Sequence, residues 1–87
     1  MPELCRFFGI VIQMFYKDHS PPHFHVKYGE FKCKIEIKSG NIIEGKLPRK
    51  PLRLVQAWVE LHRKELIQNY KESQKDFAQI TKIKPLN

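Results

Sequence analysis

The chain has 87 residues, with sixteen Lys plus Arg against nine Asp plus Glu, and a formal net charge of +7. A hydrophobic share of 41% and a charged share of 29% are ordinary for a globular domain, and the length allows one small core. That excludes a nucleotide-binding α/β fold or a separate substrate domain, so any chemistry must come from a shallow site built of few side chains.

Leu4–Phe8 and Ile10–Tyr16 are rich in Ile, Val, Phe and Tyr and read as strands, with Gly9 as the bend between them. Lys17 to Pro22 is a loop, because two consecutive prolines remove backbone donors and hold the chain extended. From His23 the alternation is regular: Phe24, Val26 and Tyr28 point one way, His23, His25 and Lys27 the other. Gly29-Glu30 suits a two-residue hairpin turn with Gly first, after which Phe31, Cys33, Ile35 and Ile37 alternate with Lys32, Lys34, Glu36 and Lys38. This register pairs Tyr28 with Phe31, Val26 with Cys33 and Phe24 with Ile35 in the core. On the other face it pairs Lys27 with Lys32, His25 with Lys34 and His23 with Glu36, and a one-residue slip would ruin both faces.

Ser39-Gly40-Asn41 is read as a three-residue turn that pairs Ile37 with Ile43 and sets Glu36 beside Glu44, with Leu47 ending the strand. Pro48 and Pro51 then introduce a helix from about Leu52 to Ser73. Its apolar stripe runs through Leu52, Val55, Val59, His62, Leu66 and Asn69/Tyr70, widened by Leu54, Trp58 and Leu61, with Glu60 and Lys64 as an i,i+4 ion pair. The expected fold is α+β: an antiparallel sheet of about five strands with one long C-terminal helix packed on one face. Residues 1–73 form the single domain, and 74–87 a basic tail carrying Phe77, Ile80 and Ile83.

No stretch approaches the roughly 18 consecutive apolar residues that span a bilayer. The opening Met-Pro-Glu-Leu-Cys-Arg lacks the basic-then-apolar pattern of a secretory signal, so no membrane association and a cytoplasmic location are expected. Cys5 and Cys33 form neither a CxxC motif nor a disulfide framework and are read as small buried hydrophobes. No cofactor is called for.

The positive charge is concentrated. Residues 27–53 hold eight basic and three acidic residues, a net +5 of the total +7. Such a surface attracts nucleic acid or an acidic protein. The chemistry-bearing residues fall on the same side: His23 and His25 leave one strand face together, and the expected register places His23, Glu36 and Glu44 in one row and His25, Lys34 and Lys46 in the next.

Three uses of that face are open. His23 and His25, with Glu36 holding His23, are candidate catalytic groups of a metal-independent ribonuclease, with Lys34, Lys46, Arg49 and Lys50 as phosphate contacts. His23, His25 and Glu44 form a candidate divalent-metal set. The third use is cross-strand pairing alone on a non-enzymatic, protein-binding face. His62, on the apolar stripe, is read as a hydrogen-bonded, half-buried residue and not as a ligand.

Three strings, Arg6-Phe7-Phe8-Gly9, Asp18-His19-x-Pro21-Pro22-His23-Phe24-His25-Val26 and Trp58-x-x-x-His62-Arg63-x-Glu65-Leu66, resemble a bacterial domain-of-unknown-function family, number 4160, over about residues 1–73. The positions carried over by the motif are Arg6, Asp18, His19, His23, His25 and His62, of which Arg6, Asp18 and His19 join the candidate binding residues. Members are small single-domain proteins often encoded beside another short protein in a toxin–antitoxin-like pair. The resemblance therefore implies a small protein partner encoded by a neighbouring gene and a toxin–antitoxin-type component that binds it; binding or cleavage of RNA is expected from the histidine and lysine rows of the sheet face. The alternatives are an adaptor or antitoxin-like binding module, or a small divalent-metal-binding domain. The tail after Ser73 lies beyond the usual family end.

Overall fold

The computed structural model describes residues 3–77 and 79–86; Met1, Pro2, Ala78 and Asn87, which the expected domain and tail ranges include, lie outside the described residues. Five strands, β1 (Glu3–Phe7), β2 (Ile10–Gln13), β3 (His23–Tyr28), β4 (Phe31–Glu36) and β5 (Ile42–Gly45), precede one helix, α1 (Arg49–Ser73). The strands are antiparallel neighbours in chain order, a meander, so the α+β architecture is as expected.

Tight turns set the first registers. Phe7 pairs with Ile10 across Phe8-Gly9, both of which have positive φ, the sign pattern whose twist suits a two-residue hairpin. The β3–β4 hairpin has all six expected pairs, from Tyr28 with Phe31 to His23 with Glu36. Its turn places Gly29 at a φ of 57°, where only glycine is unstrained.

The β4–β5 pairing departs from expectation. Ile35 faces Ile42, Lys34 faces Glu44 and Cys33 faces Gly45, with a bulge at Ile43, so the expected Ile37–Ile43 and Glu36–Glu44 pairs do not form. The turn closes at Glu36, whose amide donates to the Asn41 carbonyl (2.9 Å) and whose carbonyl accepts the Gly40 amide (2.8 Å), so the chain turns back two positions early. Ile37 lies beyond the β4–β5 pairing, its side chain fully buried, its amide on the Pro22 carbonyl (3.1 Å) and its carbonyl accepting from Arg63 Nε (3.1 Å). Ile43 consequently stands out, 44% exposed. The two-residue shift keeps Glu44 on the polar face but brings it to Lys34, and it sets Lys46, whose amide bonds the Lys32 carbonyl (3.1 Å), beside Lys32 and not Lys34.

The helix starts three residues earlier than expected and ends where expected, with the Leu52 amide closing the first turn on the Pro48 carbonyl (3.0 Å). Val55, Trp58, Val59, Leu66 and Tyr70 turn into the core, but Leu61 is exposed, and Glu60 pairs with Arg63 (2.7 Å) in place of Lys64. At His62 the backbone leaves helical geometry (φ −126°, ψ 21°), dividing the helix into two runs with separate tasks. The first run packs Trp58 against Phe7 and Phe24, ring centroids 5.9 and 5.8 Å away. The second carries Tyr70 to the loop after β2, where its hydroxyl donates to the Asp18 carbonyl (3.1 Å).

The tail closes the core. Ile83 is buried and its amide donates to the Leu4 carbonyl (3.0 Å), the Trp58 indole donates to the Lys84 carbonyl (2.9 Å), and the Asn69 amide brackets Thr81. Phe77, by contrast, is almost fully exposed. Among the described residues no helix is long and apolar enough to cross a membrane.

Candidate functional site

The site is built where the Lys17-Asp18 loop is clasped by the end of the helix. The Lys17 amide donates to the Ser73 carbonyl (2.8 Å), and the Asp18 carbonyl accepts from both Tyr70 Oη and Gln74 Nε2 (each 3.1 Å). These bonds fix the Asp18 backbone and turn its carboxylate over the face of β3 from which His23 and His25 project.

One carboxylate oxygen then serves both histidines. Asp18 Oδ2 lies 2.7 Å from His25 Nε2 and 3.1 Å from His23 Nε2, while Oδ1 accepts the His19 amide (3.1 Å). The other nitrogen of His23, Nδ1, lies 2.7 Å from the Pro21 carbonyl, which only accepts, so Nδ1 carries a proton and donates. The two imidazoles have centroids 5.3 Å apart, and the Phe15 ring meets His25 edge-on at 4.2 Å. His23 is buried, and His25 and Asp18 are partly exposed. Burial works against ionising Asp18, but the hydrogen bond from His25, the charge of His23 and the His19 amide outweigh it and hold the carboxyl below the ordinary Asp range.

The expected partner of His23 is thereby replaced. Glu36 is its cross-strand neighbour, but the Glu36 carboxylate accepts from the Ser39 hydroxyl (2.6 Å), and Asp18 takes the place beside the imidazole. Glu44 is paired with Lys34 (3.6 Å) and is not among the three ligand-bearing groups, Asp18, His23 and His25, whose donor atoms lie within 4.8 Å of one another. His19, Lys34, Ile43 and Glu44 line a shallow cavity of about 330 Å³ against Asp18 and His23. His62 stays apart, bonded to Glu65 (2.6 Å) beside Trp58.

Beside the cluster the same sheet face is basic. The register aligns Arg6, Val11, Lys27 and Lys32 in one row across four strands, and Gln13, His25, Lys34 and Glu44 in the next. Arg6 is held by Glu3 (2.8 Å), but Lys27 and Lys32 face each other with no acidic partner within ion-pair distance among the described residues. Arg49 and Lys50 open the helix, where no acidic residue sits in the first turn and two cations meet the positive end of the helix dipole.

Asp18 is the site residue whose role sequence reasoning missed. Asp18 was legible as part of a motif, but its role as the shared partner of both histidines depends on Tyr70, Ser73 and Gln74, more than fifty residues away. The signal within reach was the Asp-x-x-Pro-Pro-His spacing, in which the prolines fold the loop back over the strand that follows.

No curated protein and no solved structure matches the chain. The model of a domain of unknown function, DUF4160, matches residues 9–71, a span that contains the Asp18 loop, both strand histidines and the helix as far as the clasp at Tyr70. The chain therefore belongs to the DUF4160 family.

Proposed function

We propose that this protein is an RNA-binding component of a toxin–antitoxin-type module, with the polar face of the sheet as the phosphate-contacting surface. The observation that carries this reading is the Lys27–Lys32 pair. Like charges directly opposite one another weaken a sheet, and on this face Arg6, Lys34 and Lys46 surround them. A polyanion relieves that repulsion on binding and releases its own counterions. The Asp18–His23–His25 cluster stands one row away, within reach of a phosphodiester lying along the lysines, and Phe15 beside His25 offers a ring edge next to it.

The test is anisotropy titration of a labelled single-stranded RNA oligonucleotide at several salt concentrations in the presence of a chelator, with the product checked for cleavage. Binding should weaken steeply with salt and fall at least tenfold in Lys27→Glu/Lys32→Glu. Binding indifferent to both salt and these changes would overturn the reading. RNA cut by the wild-type chain and spared by His25→Ala identifies a metal-independent ribonuclease; RNA bound but intact in chelator identifies a binder without metal-independent cleavage, and growth on expression tests for a toxin in cells.

A second reading, docking of a small partner protein, is favoured by β5. It is one of the two outer strands of the sheet, and its bulge turns Ile43 out beside the cluster cavity. Co-expression with the product of the neighbouring gene and a pull-down with Ile43→Asp tests it, and retention of that partner by the variant would count against this face.

A further inference from the structure

We propose that Asp18, His23 and His25 form a binding site for a divalent transition-metal ion, open to solvent through the cavity bordered by His19 and Lys34. The inference rests on the geometry of the cluster and does not depend on the RNA reading.

Proton bookkeeping is the first reason. The Pro21 carbonyl fixes the proton of a neutral His23 on Nδ1, so Nε2 presents a lone pair. That lone pair is 3.1 Å from Asp18 Oδ2, itself an acceptor. Two acceptors at that distance repel unless a positive centre lies between them: either a second proton, which makes His23 the imidazolium whose charge lowers Asp18, or a metal ion in the proton's place. His25 Nε2 points at the same oxygen from 2.7 Å, so three donor atoms converge on one spot.

The second reason is fit. Ligand atoms about 2.0–2.1 Å from a tetrahedrally coordinated ion stand roughly 3.3 Å from one another. The two contacts to Asp18 Oδ2, 2.7 and 3.1 Å, need to open by roughly 0.6 and 0.2 Å. A partly exposed carboxylate on a loop can supply that movement.

The supporting groups are the third. A metal-ligating histidine characteristically donates its other ring N–H to a carbonyl or carboxylate, which fixes its tautomer and orientation, and Pro21 does this for His23. Phe15 limits rotation of the His25 ring, and Tyr70 and Gln74 hold the Asp18 backbone. Two imidazoles and one carboxylate suit zinc or another late first-row ion better than magnesium or calcium, which take oxygen ligands. Asp18 and His23 line the cavity, from which water or a phosphate oxygen can reach the remaining positions.

The experiment uses the full chain, stripped with chelator, dialysed, and titrated with Co²⁺ and with Zn²⁺. The expected result is one ion per chain, a Co²⁺ visible spectrum of low-symmetry, four- or five-coordinate intensity displaced by Zn²⁺, and a melting temperature that rises with Zn²⁺. Asp18→Asn and His25→Ala, both at partly exposed positions, should each lose affinity by more than the roughly 10–100-fold that removal of an outer-shell partner costs. His62→Ala should bind as the wild type does. A wild-type chain that binds neither ion, binds them with an octahedral aquo-like spectrum only, or loses binding equally in His62→Ala overturns the proposal. So does retention of full affinity by both Asp18→Asn and His25→Ala. The RNA titration in chelator is scored separately, so failure of either reading leaves the other standing.

Discussion

Lys27 and Lys32 face each other directly across β3 and β4, the one cross-strand pair of the central hairpin in which two like charges meet. A folded chain gains nothing from this arrangement, so its consequences for stability and for binding should have opposite signs. Lys32→Glu converts the repulsion into an attraction and should stabilise the protein by about 0.2–1 kcal/mol in urea denaturation at low salt. The same change should weaken RNA binding and flatten its salt dependence. Stability and affinity that rise together would show that the face is not used for phosphate.

Tyr70 ties the helix to the loop that carries Asp18, and only its hydroxyl does so, donating to the Asp18 carbonyl. Tyr70→Phe keeps the ring in the core and removes that bond, at an expected cost of about 0.5–1.5 kcal/mol by urea denaturation. The Gln74 side chain still reaches the same carbonyl, so the loop should keep its position. The effect to look for beyond stability is faster amide exchange at Lys17 and His19, and unchanged exchange there would mean the clasp does not depend on Tyr70.

The hairpin from His23 to Glu36 was legible residue by residue, because both of its faces are patterned and its two-residue turn admits only one register. The helix end at Ser73 was legible for a similar reason, since the apolar stripe stops there. The register of β5 was not. Short-range patterning favours Ile37 opposite Ile43, whereas the turn closes on Glu36, which bonds Asn41 and Gly40 and leaves Ile37 outside the β4–β5 pairing. The histidine pair was legible from its i, i+2 spacing, but that pattern points to Glu36, the cross-strand neighbour, and not to Asp18 as its carboxylate. Asp18 reaches the histidines only because the far end of the chain pins its backbone.

The segment after the helix also resisted local reading, being basic and without periodicity, yet it supplies a core residue. Ile83 is buried beneath β1, with its amide on Leu4, and Thr81 is bracketed by the buried Asn69. Ile83→Ala should cost about 2–5 kcal/mol, the range for truncating a buried Ile, in a protein of ordinary marginal stability. Phe77→Ala should cost almost nothing, because Phe77 is 93% exposed. Equal effects of the two changes in urea denaturation would show that the tail does not hold the core.

Two glycines at positive φ separate backbone strain from steric room. At Gly29 (φ 57°) an added Cβ meets nothing within 4 Å, so Gly29→Ala should cost only the left-handed penalty of about 1–2 kcal/mol. At Gly45 (φ 86°) the same Cβ falls 2.3 Å from the Lys32 carbonyl oxygen and 2.9 Å from Cys33 Cα, both backbone atoms that the hairpin holds in place. Gly45→Ala should therefore cost clearly more than Gly29→Ala in denaturant unfolding and should loosen the β4–β5 pairing that carries Glu44 to Lys34. Equal costs would mean that β5 yields freely.

The two cysteines should be chemically silent until the protein unfolds. Both are free and buried, and burial pushes the Cys5 thiol up to about 12, helped by Glu3, and the Cys33 thiol up to about 11. A raised thiol pKa means that the nucleophilic thiolate is scarce below it: at pH 8 about one Cys33 in a thousand is ionised, and fewer Cys5. An aromatic disulfide reagent at pH 8 should therefore titrate no thiol rapidly in the native protein and two in strong denaturant. Reactivity should climb as pH rises toward 11, in Cys33 before Cys5, which single Cys→Ser variants distinguish. A native thiol that reacts within seconds at pH 8 would mean that β1 or β4 opens far more readily than the packing of Leu4, Ile35 and Trp58 over them implies.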